Sequence, residues 1–156
     1  MPKLYVLCGI SGSGKSTWAH NFIKEHPEVH YVSRDEIRFS MVGPDERYFS
    51  KENEVLSEFI KTIADNLSHG FDTIADATHL NQWSRGRLLH AIDKQFKQYE
   101  IVFVAFIVNY DKAIERNNLR EGRAKVPEHI INEMFQHFTY PSDREDRRVI
   151  DIIEIN

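Results

Sequence analysis

The sequence predicts a three-layer α/β/α fold, with helices on both faces of a five-stranded, mainly parallel sheet. Three observations carry that reading. Strand-like and helix-like segments alternate along the whole chain. One run, Ile101–Val108, holds eight apolar residues without a charge, as a strand buried on both faces should. The length, 156 residues, suits a single domain spanning 1–156.

The elements follow in order. Lys3–Cys8 is a short apolar strand, and the glycine- and serine-rich stretch Gly9–Gly14 interrupts it. A helix comes next, with Trp18, Ala19, Phe22 and Ile23 on one face, and Pro27 ends it. His30–Ser33 is a second strand, and 43–50 reads as a loop from Gly43, Pro44 and the lack of apolar period. Val55, Leu56, Phe59, Ile60, Ile63, Ala64 and Leu67 mark an amphipathic helix closed by Gly70. Phe71–Ala75 is a third strand. Asn81–Phe96 is helical, with Leu88, Leu89, Ile92 and Phe96 inward, and Ile101–Val108 is the fourth strand. Residues 111–119 form a helix and 120–126 are polar and basic. Pro127 fits the first turn of a helix that buries Ile130, Ile131, Met134, Phe135 and Phe138. Arg148–Ile155 is the last strand by its β-branched content.

Composition excludes some functions. Twenty Lys and Arg against 24 Asp and Glu give a net charge of −4, so binding nucleic acid by bulk charge is ruled out while a local basic patch is not. The single cysteine, Cys8, forbids an intramolecular disulfide, which fits a cytoplasmic location. No apolar run approaches the roughly 18–20 residues of a membrane span, and no membrane partner is expected.

Gly9-Ile10-Ser11-Gly12-Ser13-Gly14-Lys15-Ser16 matches the phosphate-binding loop pattern at every fixed position, between a strand and a helix as that motif requires. Its glycines let backbone N–H groups wrap a phosphate at a helix N-terminus. Residues Gly9 to Thr17 are therefore the expected nucleotide cradle, with Lys15 reaching the β- and γ-phosphates and the Ser16 hydroxyl ligating Mg²⁺. The fold class thereby narrows to a P-loop NTPase. A guanine-specific Asn-Lys-x-Asp motif is missing, since Asn109-Tyr110-Asp111-Lys112 has those residues in the wrong order.

Phosphoryl transfer needs a base for the acceptor and cations over the moving group. Arg34-Asp35-Glu36-Ile37-Arg38 follows the second strand, at the carboxyl edge where open α/β sheets bind ligands. Asp35 is the candidate base, and Arg38, on the same helical face, is a candidate grip for a substrate phosphate. Asp76, ending the third strand, is placed to support Mg²⁺ through the second coordination shell, and Thr78 lies in the same segment. Arg116, Arg120, Arg123 and Lys125 cluster between two helices, a small basic lid over about 116–127. Trp83, Arg85 and Arg87 either stack on a nucleotide or are surface residues. His129, Glu133 and His137 recur every four residues, but two histidines two turns apart make a poor metal pair.

Together these segments resemble the polynucleotide 5′-hydroxyl kinase family, in particular the kinase domain of its phage members. Gly-x-Ser-Gly-Ser-Gly-Lys-Ser-Thr-Trp-Ala (9–19), Ser33-Arg34-Asp35 with Arg38, Asp76-Ala77-Thr78-His79-Leu80-Asn81, and Arg116-Asn117 leading to Val126-Pro127 carry the resemblance over nearly the whole chain. It implies a P-loop kinase that moves the γ-phosphate of ATP, with Mg²⁺, to the 5′-hydroxyl end of RNA or DNA. It also implies Asp35 as general base, Arg38 on the acceptor strand, and Asp76 or the neighbouring position Ala77 in the third-strand role. Arg120 is the best match for the lid arginine, and one extra residue before Val126-Pro127 keeps Arg123 a candidate. No Asp-x-Asp-x-Thr phosphatase motif follows, so no 3′-phosphatase activity is expected of this chain. A separate ligase or phosphatase as protein partner is left open. The alternatives are a kinase of a small metabolite or of aminoacyl-tRNA, and a non-catalytic ATP-binding switch.

Overall fold

A computed structural model describes residues 1–122 and 125–156. Five strands, β1 (Lys3–Cys8), β2 (His30–Ser33), β3 (Thr73–Asp76), β4 (Glu100–Phe106) and β5 (Val149–Ile155), form one sheet in the order β2-β3-β1-β4-β5. Every pairing is parallel. Each connection must therefore cross over the sheet, and helices α1 (Lys15–Glu25), α2 (Arg34–Met41), α3 (Glu52–Ser68), α4 (Gln82–Asp93), α5 (Tyr110–Asn118) and α6 (Glu128–His137) lie in those crossovers. This is the P-loop NTPase α/β fold, with the expected sheet.

Strand periodicity divides the core in two. Leu4, Val6 and Cys8 of β1 point to one face, where α3 and α4 deliver Phe59, Ile63, Leu88 and Ile92. Leu7 points to the other, against Ala19, Trp18 and Phe22 of α1. β4 is buried along both faces from Ile101 to Phe106, as its uncharged run predicts. A smaller cluster of Ile10, Ala113 and Ile131 gathers α5 and α6 beside the loop after β1.

Some boundaries differ from the sequence reading, each for a local reason. Phe71 is outside β3: its N–H returns to the Asn66 carbonyl (3.0 Å) in the turn that ends α3, and its ring stacks on His30. Helix α4 starts one residue later, because Asn81 is its N-cap in a reciprocal capping box with Ser84, and it stops at Asp93, beyond which the Gln95 and Phe96 N–H groups both turn back to the Ile92 carbonyl (2.9 Å each). β4 stops at Phe106, since Asn109 caps α5 by accepting the Lys112 N–H at 2.8 Å. Of the α6 residues expected inside, only Ile131 is fully buried, and Phe135 stays 43% exposed. Ile130 and Met134 of α6 line a cleft, while Ile131 packs with Ile10 and Ala113, so the apolar side of the helix is shared between core and cleft.

Candidate active site

The strand order sets the site. β1 lies beside β3, and Ser33 at the end of β2 is in register with Asp76 at the end of β3. Three strand ends therefore deliver the glycine-rich loop, Asp76 and the start of α2 to one edge.

The loop is held in place before any ligand arrives. The Gly9 N–H donates to the Thr78 carbonyl (2.9 Å) and Arg116 Nη1 to the Gly12 carbonyl (3.0 Å). His79, buried and at φ 41°, places Nδ1 2.7 Å from the Leu7 carbonyl. Burial lowers the His79 pKa to about 4, so the ring is neutral and its one proton sits on Nδ1 to satisfy that acceptor. Gly12 adopts φ 80°, and a Cβ there would lie 3.0 Å from the Ala113 carbonyl. A left-handed conformation costs a non-glycine residue roughly 1–2 kcal/mol. Gly12→Ala is accordingly expected to weaken triphosphate binding by about tenfold or more, read by calorimetric titration. Equal affinity in the variant would show that the loop does not need this conformation.

Lys15, the first residue of α1, folds back onto its own loop. Its Nζ donates to the carbonyls of Gly9 (2.9 Å) and Ile10 (2.8 Å). Desolvation lowers its pKa to about 8, with Asp76 opposing and Arg120 reinforcing that shift. At neutral pH it remains a cation, its Nζ held by main-chain carbonyls.

Ser16 donates to Asp76 Oδ2 at 3.2 Å, and the Tyr31 hydroxyl makes a short hydrogen bond to the same oxygen. Burial and the adjacent Asp76 raise the Tyr31 pKa, so Tyr31 stays a donor. Tyr31 was not legible as a site residue: it sits mid-strand in no motif. Among the described residues no group of three or more His, Cys, Asp or Glu could hold a metal alone. One hydroxyl and one nearby carboxylate nevertheless fit Mg²⁺, which takes few protein oxygens and completes its shell with substrate phosphates and water.

Asp35 is the second residue of α2, behind the N-cap Ser33 and Arg34, and its side chain is 68% exposed. Its Oδ1 accepts from Tyr48 (3.2 Å) and from Arg38 Nη1. Arg38 is buried, and Nε and Nη2 also bind Glu52, the latter at 2.9 Å. Burial works against the Arg38 charge, yet the Glu52 and Tyr48 hydrogen bonds and the nearby carboxylates raise its pKa overall. In return, the Arg38 hydrogen bond draws the Glu52 carboxyl below its usual range. A substrate phosphate would therefore share a guanidinium already engaged by two carboxylates.

These residues line one cleft of about 690 Å³, within the range of small-ligand sites. Lys15, Ser16, Asp35, Arg38, Asp76, Thr78 and Arg120 all face it, as do Lys125 and α6 residues Ile130 and Met134. Arg123 lies outside the described residues. Buried Asn117 accepts the Val126 N–H (2.8 Å) and donates to the Val126 carbonyl, tying together the two ends of the basic segment. Trp83, Arg85 and Arg87 do not line the cleft. Arg85 is not a surface residue: it is 1% exposed, paired with Glu145, and its guanidinium lies 5.8 Å from the Phe103 ring centroid. Arg87 lies 4.7 Å over the exposed Trp83 ring.

A family model described as an AAA domain matches residues 4–141. The chain belongs to that family. Among solved structures, a chain of the Pnkp1/Rnl/Hen1 RNA repair complex is 25% identical, matching 87% of this chain and 43% of its own length with a TM-score of 0.74. A fungal RNA kinase is 13% identical over 99% of this chain and 38% of its own, at TM-score 0.70. A sugar kinase from Janibacter sp. HTCC2649 is 17% identical over 99% of this chain and 86% of its own, at TM-score 0.66. The last two likenesses are of fold alone. The chain spans about two-fifths of the length of the first two. The P-loop kinase resemblance of the sequence thus stands, and with it a nucleotide-binding fold of phosphotransferase type. No helix among the described residues is long and apolar enough to cross a membrane.

Proposed function

We propose that residues 1–156 form one kinase domain that transfers the γ-phosphate of ATP to the 5′-hydroxyl end of RNA or DNA. One observation carries the reading: Lys15 and Asp35 line a single cleft, and the Asp35 carboxylate is fixed there through Oδ1 by Arg38 and Tyr48 while its side chain stays 68% exposed. The RNA repair complex named above supports the choice of acceptor.

Gly9 to Thr17 cradle the phosphates, and Lys15 leaves its carbonyl partners for the β- and γ-phosphate oxygens. Ser16, with Asp76 in support, would hold Mg²⁺, which would supply neutralisation of the phosphate charge. The acceptor hydroxyl gives its proton to Asp35 as its oxygen bonds to the γ-phosphorus. The bond from that phosphorus to the β–γ bridging oxygen breaks, and ADP departs with the electron pair. Arg120, with Arg123 as the other candidate, covers the transferring group from the lid at about 116–127, and Arg38, Thr78 and Asp76 contact the acceptor side.

The test is transfer of γ-labelled phosphate from ATP, with Mg²⁺, to short RNA and DNA strands. The strands carry free or phosphorylated 5′ ends and are run beside a pool of nucleosides and sugars. Label on the hydroxyl ends alone is the expected result. Label confined to the small molecules would make the protein a metabolite kinase.

A further inference from the structure

Phe49 is 62% exposed and Phe39 is 43% exposed, although neither is needed to fill the sheet core. Both line the cleft, with Tyr48 between them. The Phe39 and Tyr48 ring centroids are 5.3 Å apart, and Tyr48 meets Phe49 edge-on at 4.8 Å. The Arg38 guanidinium backs both rings, 5.1 Å from Tyr48 and 5.0 Å from Phe49. Glu52 and Asp35 hold that guanidinium against the rings, and Phe49, largely exposed, lines the cleft.

We infer that this cluster, with Phe49 foremost, is a stacking platform for a nucleobase of the acceptor, so that the enzyme recognises a base-bearing hydroxyl compound. The inference rests on the kinase reading above. The position argues for it: the Tyr48 hydroxyl lies 3.2 Å from Asp35 Oδ1, so the rings adjoin the point where the acceptor hydroxyl must sit. The chemistry argues for it too. Aromatic faces bind any base without reading its sequence, which suits a strand end of arbitrary sequence. A hydroxyamino acid offers no flat face to such rings, and a sugar needs hydrogen bonds to its hydroxyls beside any ring contact. The one hydroxyl on these rings already donates to Asp35.

The experiment compares 5′-hydroxyl strands that differ only in whether the first two nucleotides carry bases, at saturating ATP, for the parent chain, Phe49→Ala and Phe49→Tyr. The parent is expected to show a higher KM for the abasic end. Phe49→Ala should raise KM for the base-bearing end by about tenfold or more, the loss falling on KM rather than kcat, without a matching rise for the abasic end. Phe49→Tyr should restore it. Equal KM for both ends in the parent would overturn the platform while leaving end phosphorylation intact, and that comparison needs no variant to fold. An equal rise for both ends in Phe49→Ala would overturn it as well. Transfer to no strand end would remove the strand-end reading, and with it the platform that rests on that reading.

Discussion

Asp35→Asn is expected to lower phosphate transfer by about 10²- to 10⁴-fold, the usual contribution of a positioned general base, while the nucleotide still binds. The amide keeps the size of the side chain and can still accept from Tyr48 through its oxygen, so the geometry at the start of α2 changes little. Arg38 loses a charged partner but retains both bonds to Glu52, which keeps the guanidinium buried and satisfied. What disappears is the acceptor's proton sink. Nucleotide affinity should hold or tighten, because Asp35 acts on Lys15 only through its charge, and removing an anion from the cleft favours an incoming polyphosphate. Lys15→Ala should do the reverse at the first step and weaken nucleotide binding itself. Single-turnover transfer and a separate titration of the nucleotide distinguish the two variants. Unchanged turnover in Asp35→Asn would mean that another group, or water, takes the proton, and the assignment of the acceptor side would fall.

Those residues were legible because each belongs to a contiguous segment. A phosphate loop lies within eight positions, and its strand-and-helix context can be read beside it. Asp35 and Asp76 could be placed because a carboxylate that ends a strand of a parallel sheet, as Asp76 does, or directly follows one, as Asp35 does, must arrive at the ligand edge. The residues that orient them were hidden for the opposite reason. Glu52 is 17 positions from Asp35 and looks like any acidic residue at the start of a helix, where it would serve equally well as a dipole partner. Only the approach of α3 to α2 turns it into the bidentate partner of Arg38. Tyr48 and Phe49 sat in a segment that reads as loop, where aromatic residues have no period to betray a shared face. The α6 error has a related cause. Its apolar spacing is helical, but spacing cannot say whether such a face meets the sheet or a cleft, and here Ile130 and Met134 face the cleft.

Arg85→Ala should cost about 3–5 kcal/mol of stability, the loss expected when one member of a buried ion pair is removed. The Arg85 and Glu145 side chains are 1% and 6% exposed, joined through Nε–Oε1 (2.8 Å) and Nη2–Oε2 (3.0 Å). Truncation leaves the Glu145 carboxylate in the interior with the Ser142 N–H at 2.9 Å. It also strips the carbonyls of His79 (3.0 Å) and Thr139 (3.2 Å) of their Arg85 donor. In a chain of this size that cost corresponds to a fall in melting temperature on the order of 10 °C. The double change Arg85→Met with Glu145→Leu should recover much of it, because desolvation offsets most of the attraction in a buried pair. The pair's effect on the site is separate from its effect on stability. Arg85 holds the His79 carbonyl, His79 holds Leu7, and the Thr78 carbonyl holds the Gly9 N–H, so the ion pair anchors the segment that braces the phosphate loop. The double variant, folded but without that anchor, should bind the nucleotide more weakly than the parent. If it regains both stability and full nucleotide affinity, the loop is braced by β1 and α5 alone, and the arginine serves the core only.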